Sequence, residues 1–201
     1  MKKYFKSILL ALTTLFIYSN AFAFISPVAV SIVPPLEFPP ANFSITGARI
    51  SAIYGRHRDL YGIDLALIGN ITEQTFTGIG VSGIFNMTHG TTTILGLQLA
   101  GLTNINTKEV SVYGLQATLG LNQNDAASKV VGVEFAAIAN LCAFTKIYGA
   151  QVGIFNHALE VYGVQIGVVN STKNLHGLQI GLLNFNDAGP FVVSPILNVG
   201  F

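Results

Sequence analysis

One short motif returns nine times along the chain, and so close a period leaves few folds open. The last three copies are the plainest: GAQVGIFN from Gly149, GVQIGVVN from Gly163 and GLQIGLLN from Gly177. Upstream the motif is one residue longer, as GIDLALIGN from Gly62, GIGVSGIFN from Gly78, GLQLAGLTN from Gly96, GLQATLGLN from Gly114 and GVEFAAIAN from Gly132. A degenerate copy, GARISAIYG, starts at Gly47. The starts lie 15, 16, 18, 18, 18, 17, 14 and 14 residues apart, with no composition shift between them. One repeat-built domain over residues 24–201 follows.

Within a copy the pattern has period two, which reads as strand and not helix. From Val161 to Asn170 one side carries Val161, Gly163, Gln165, Gly167 and Val169. The other carries Tyr162, Val164, Ile166, Val168 and Asn170, apolar until the last position. Segments such as Asn170 to Asn174 and Asn122 to Asp125 supply turn residues between copies. The chain is all-β on this reading.

Two closures suit such copies. The first is an up-and-down barrel of about 10–12 strands in an outer membrane. The motif reads nearly alike in both directions, so it could serve both up and down strands. Its central column is Arg49, Asp64, Gly80, Gln98, Gln116, Glu134, Gln151, Gln165 and Gln179, polar groups fit for a wet lumen, with the apolar side toward lipid. Tyr61, Tyr113, Tyr148 and Tyr162 precede motif glycines and would form aromatic girdles at the two rims. The alternation that ends on Phe201 is similar to the assembly signal of such barrels, which would make the outer-membrane assembly machinery a partner. The second closure is a β-solenoid with one coil per copy. It explains same-sense copies and offers stacked Asn and Gln ladders, but coil lengths drifting from 14 to 18 strain its register. Loop lengths that do not alternate count against the barrel, and Pro195 needs an edge or a bulge. The expectation is the barrel, with a structural or narrow-pore role; the alternative is a secreted or periplasmic solenoid, or a shallow barrel holding lipid in an apolar interior, that acts as a binding scaffold.

Lys2, Lys3 and Lys6, an apolar run from Ile8 to Tyr18 and Ala21-Phe22-Ala23 make residues 1–23 a signal peptide. Its removal takes three lysines and leaves seven positive residues against nine negative, net −2. The chain is expected in the outer membrane or at the cell surface, or else in the periplasm or medium. Only 9% of residues are charged and 51% are hydrophobic, which excludes a disordered chain. No basic run is present to meet nucleic acid. Cys142 is the only cysteine, so there is no disulfide framework, and it reads as a small buried hydrophobe.

The repeats, of the form GLQxGLxN or GxQxAGLxN, resemble bacterial surface-repeat proteins. Val30 to Leu36 is similar to the opening of those chains, and Pro195 to Phe201 to their close. The resemblance implies an exported surface or outer-membrane protein and carries no catalytic or binding residues with it.

Chemical motifs are sparse. Gly78 to Gly83 fits GxGxxG but lies inside a β repeat with no helix after it, where the pattern has no phosphate to bind. His57, His89, His157 and His176 never fall at metal-ligand spacing. Asp64 and Glu134 could pair for acid–base work, though ion pairing and hydrogen bonding inside the fold is the preferred reading; Arg49 stands beside Asp64 in the column. Asn42, Asn70, Asn86 and Asn170 begin sequons that turn chemistry explains. No catalytic set and no cofactor are expected, and membrane lipid is the expected partner.

Overall fold

The computed structural model describes residues 24–201, so the predicted signal peptide lies outside the described residues. Its strands form one continuous sheet that winds as a stack of coils, a β-solenoid and not a barrel. The pairing decides this. Gly62 faces Gly78, Gly96 faces Gly114, Gly114 faces Gly132 and Gly163 faces Gly177, each time in parallel. An up-and-down barrel would place successive copies antiparallel. Here each copy lies on the one before with like over like, so the motif's two-way reading is incidental.

Strand β1 (Ile25–Val33) lies parallel on β3 (Ser44–Ser51) and is covered by the antiparallel β2 (Leu36–Phe38). β4 (Tyr54–Ala66), β5 (Gly69–Ser82), β7 (Thr91–Ala100) and β9 (Val110–Thr118) carry the first side of the following coils. The short β6 (Phe85–Thr88), β8 (Thr103–Asn106) and β10 (Leu121–Asn124) carry the return side. β11 (Ser128–Ile166) and β12 (Val169–Asn186) run through several coils, and β13 (Val193–Gly200) reverses to lie antiparallel on β12. Pro195 falls on this terminal strand, beside a register irregularity, the kind of place a strand proline requires.

Drifting coil length does not break the register, because the extra residues are absorbed at local irregularities. Irregularities sit between His57 and Asp59 and between Gly78 and Gly80, and pairing resumes after each. The apolar core is a single row, two residues before each motif glycine: Ile45, Leu60, Phe76, Ile94, Val112, Val130, Ile147, Val161 and Leu175, all 3% exposed or less. Apart from a few smaller buried residues such as Val110, Ala136 and Ala158, the rest of the interior is polar.

The motif glycines mark the corner after that row. Gly114 has φ +134°, and a Cβ there would stand 2.2 Å from the carbonyl oxygen of Gly96 in the coil below. Gly163 repeats this with φ +143° and 2.0 Å to Gly149. Glycine is therefore dictated by a positive φ and an axial backbone approach, not by a watery lumen. The tyrosines also change place. Same-sense coils put them in one external row, where Tyr148 stacks on Tyr162 at 4.8 Å and Tyr162 on His176 at 4.5 Å. They form no pair of girdles.

Candidate functional site: a polar interior and an apolar outer face

The central column lies inside, as one axial row. Arg49, Asp64, Gln98, Gln116, Glu134, Gln151, Gln165 and Gln179 are each 1% exposed or less. There is no lumen: the side chains bond to one another. Gln179 Nε2 donates to Gln165 Oε1 at 2.7 Å, Gln165 to Gln151 at 2.7 Å, and Gln151 to Glu134 Oε2 at 2.8 Å. Below Glu134, Gln116 donates to Gln98 at 2.8 Å. Every glutamine donor named here points toward the N-terminal end, whereas Arg49 at the start of the row donates to Asp64 in the next coil.

A second row runs the other way. The asparagine that closes each motif copy, read from sequence as turn chemistry, is a core residue. Asn70 donates to Asn86, Asn86 to Asn104, Asn104 to Asn122 and Asn122 to Asn140, all at 2.9 Å. Asn140, Asn156 and Asn170 continue to Asn184 at 2.8 Å. Each amide's second proton meets a backbone carbonyl of the next coil, as Asn122 does at Phe135 (2.8 Å) and Asn156 at Ile166 (2.9 Å). Opposed amide rows offset each other's dipoles, and the repeated spacing satisfies nearly every group, which a buried polar core requires. Three sequon asparagines, Asn70, Asn86 and Asn170, belong to this row and are buried; Asn42 is exposed.

The ionisable members have local explanations. Arg49 Nε donates to Asp64 Oδ1 at 2.7 Å, and its Nη1 reaches the Ile71 carbonyl at 3.0 Å and His57 Nδ1 at 3.3 Å. His57 Nε2 lies 3.1 Å from the Pro39 carbonyl. Burial, then the neighbouring guanidinium, lowers His57 to about 4, so the ring is neutral and accepts from Arg49. Asp64 and Glu134 are four coils apart, roughly 19 Å along the axis, and form no acid–base pair. Glu134 accepts from Gln151, from Cys142 Sγ at 3.0 Å and from Asn124 at 3.2 Å. Burial raises its pKa, and that of the Cys142 thiol beside it. Cys142 is fully buried, as read from sequence, though it serves as a donor as well as a filler.

The row has one gap. Gly80 stands where the others carry an amide, and Phe76 fills the space, its Cζ 3.2 Å from where a Gly80 Cβ would be. The Gly78 to Gly83 stretch is strand up to Ser82, with no helix behind it. The other histidines lie apart, His89 beside Glu73 (3.2 Å) and His157 beside Ser171 (3.1 Å), and no group of three metal-ligating side chains occurs among the described residues.

With amides inward, the alternate residues point outward. Val28, Ala48, Ile63, Ile79, Leu97, Leu115 and Val133 form one outer row in register, continued by Val164, Leu178 and Val199. Val30, Ile50, Leu65, Val81, Leu99, Ala117 and Phe135 form the next, continued by Ile166, Ile180 and Leu197. Past these rows Leu67 and Leu119, each three residues before a motif asparagine, stand out at 74% and 67% exposure, and Leu182, two before, at 68%. Eleven strands at about 4.8 Å and three alternate side chains make a face roughly 48 by 14 Å, some 700 Å². The largest apolar patch on a typical monomer is about 300–600 Å².

No charged side chain stands in these rows. The outward charges Arg56, Arg58, Glu73, Lys108, Glu109, Asp125, Lys129, Lys146, Glu160, Lys173 and Asp187 lie in the segments outside the motif copies, and Glu37 lies on β2 ahead of the first copy. Several pair among themselves, as Arg56 with Glu73 at 2.7 Å and Lys146 with Glu160 at 3.0 Å. The repeat therefore segregates the surface into an apolar face and a charged ridge. Phe201, read as a barrel assembly signal, is exposed just past the end of the terminal strand of a solenoid. The sequence matches no family profile, no curated protein and no solved structure.

Proposed function

We propose that this protein is an exported, non-catalytic β-solenoid scaffold that lies on a lipid surface at the outside of a bacterial cell. The observation that carries the reading is the charge-free apolar face running the whole length of the rod. Burying some 700 Å² at about 25 cal/mol per Å² amounts to an upper figure near 17 kcal/mol before the costs of association. A flat face that repeats every coil has no unique register, so it suits a fluid hydrocarbon boundary better than a partner needing one fixed alignment. The signal-like segment and the resemblance to exported surface-repeat proteins support the location.

Flotation of the purified mature chain with neutral phosphatidylcholine vesicles tests this. The wild type is expected to float, with little change between low and high salt, because no charge is used. Leu67→Lys with Leu119→Lys should leave most of the protein at the bottom of the gradient. Wild type remaining at the bottom, or flotation that vanishes in salt, would overturn the reading.

A further inference from the structure

The apolar face is not uniform. Over its C-terminal half an open groove of about 650 Å³ runs along the rod axis. Phe135, Val152, Ile166 and Ile180 form one wall; Ile154, Val168 and Leu182 form the other, with Ile196 at the end. The floor is the backbone of Gly153, Gly167 and Gly181. These glycines leave the floor bare because their missing side chains would point inward: a Cβ at Gly167 would come within 2.6 Å of Asn156 Nδ2, and at Gly181 within 2.6 Å of Asn170 Nδ2. The groove is thus a by-product of the asparagine row behind it.

We propose that this groove takes a single linear acyl chain, laid lengthwise; the inference rests on the lipid-surface reading and names the part of the lipid that is held. Five rows span four inter-coil spacings, roughly 19 Å, room for an extended chain of about fourteen carbons. The volume falls in the ordinary range for small-molecule sites, about 300–1,000 Å³. Charge matching favours a hydrocarbon: no ionisable group lines the groove, and the charged ridge is on other segments of each coil. Hydrogen bonding excludes a peptide strand. Gly153 O already accepts from Asn156 (3.2 Å), Gly181 O from Asn184 (3.0 Å), and Gly167 N–H already donates to Ile180 O (3.0 Å). An added strand would bury its own amides against a floor with none to offer. A chain without donors or acceptors incurs no such loss.

The test is equilibrium binding of radiolabelled myristate to the mature protein, with its uncharged methyl ester in parallel. One chain per protein is expected, with acid and ester bound alike. Val168→Trp, which fills the groove, should weaken both by about tenfold or more while the thermal melt stays in place, a loss of about 1.4 kcal/mol. Leu67→Lys with Leu119→Lys, outside the groove, should keep myristate binding even as flotation fails. Wild type that floats but takes up no chain would overturn the groove and leave the lipid-surface reading standing. Binding lost on esterification would replace it with carboxylate recognition. A concentration-dependent dimer that excludes myristate would assign the groove to a second copy and equally overturn the proposal.

Discussion

Substituting Asn122 by leucine tests whether the buried amide row holds the solenoid together. Asn122 is fully buried and takes part in three hydrogen bonds. It accepts from Asn104, donates to Asn140 and donates to the Phe135 carbonyl. Leucine is close in volume, so little cavity is made, but three buried partners lose their mate at once. Each orphaned group costs about 1–3 kcal/mol, so the substitution should cost roughly 3–9 kcal/mol, a large part of a domain's whole stability. Asn70 supplies the internal control. It begins the row, its Oδ1 has no partner, and its donors run to Asn86 and to backbone carbonyls such as that of Val81. Asn70→Leu should orphan fewer groups and cost clearly less, near 2–6 kcal/mol. Urea unfolding followed by far-ultraviolet circular dichroism reads both, with hydrogen exchange to show whether the coils around residue 122 open before the rest. Two substitutions of equal cost, or a loss below about 1 kcal/mol at Asn122, would refute the idea that axial amide bonding and not apolar burial fixes this core.

Two further substitutions probe the other buried row. Glu134→Gln should stabilise the protein at neutral pH by about 1–3 kcal/mol, since an amide at this place can donate onward to Gln116 where a carboxylate only accepts. Glu134 has a raised folded pKa, so its contribution is intact at low pH and is lost as pH rises through that value. The gap between wild type and Glu134→Gln should therefore widen from acid to alkaline pH, and a gap that narrows would contradict the assignment. At the gap in the row, Phe76→Leu alone should cost about 2 kcal/mol through an unfilled cavity and Gly80→Gln alone should clash with Phe76. The double variant should recover at least about 1 kcal/mol relative to their sum, as measured by thermal melts in a double-mutant cycle; strict additivity would show that Phe76 does not stand in for the missing amide.

Much of this was legible from the repeat. Period two reads as strand, one coil per copy belongs to the solenoid alternative, and the polar column is a single row from Arg49 to Gln179, interrupted only at Gly80. What misled was the sense of alternate copies. A motif that reads alike in both directions cannot say whether its neighbour runs parallel, and the barrel followed from taking its polar column for a wet lumen. The evidence against was present in loops that do not alternate. The asparagine row was half visible: eight copies from Gly62 to Asn184 end on the same residue, more constancy than a turn needs. The drift in coil length looked fatal to a stack only because it was counted over whole coils. The coils pair motif with motif, and the surplus residues are absorbed at local irregularities after which pairing resumes.

The interior and exterior of this chain are consequences of one another. A narrow coil cannot enclose enough apolar volume to support itself, since only one continuous row of large apolar side chains fits inside. Amides can fill the remaining space because axial translation gives each one a neighbour in the right place, an option unavailable to a core without a repeat. Once amides occupy the inner positions of a period-two strand, its outer positions are where the valines, isoleucines and leucines must go. The apolar side that the barrel reading turned toward lipid is thus the outer face of a solenoid. A face of that size is costly to leave in water. If Asn122→Leu and Asn70→Leu differ as expected, the polar core is the source of rigidity, and the apolar residues are released from a structural role to a binding one.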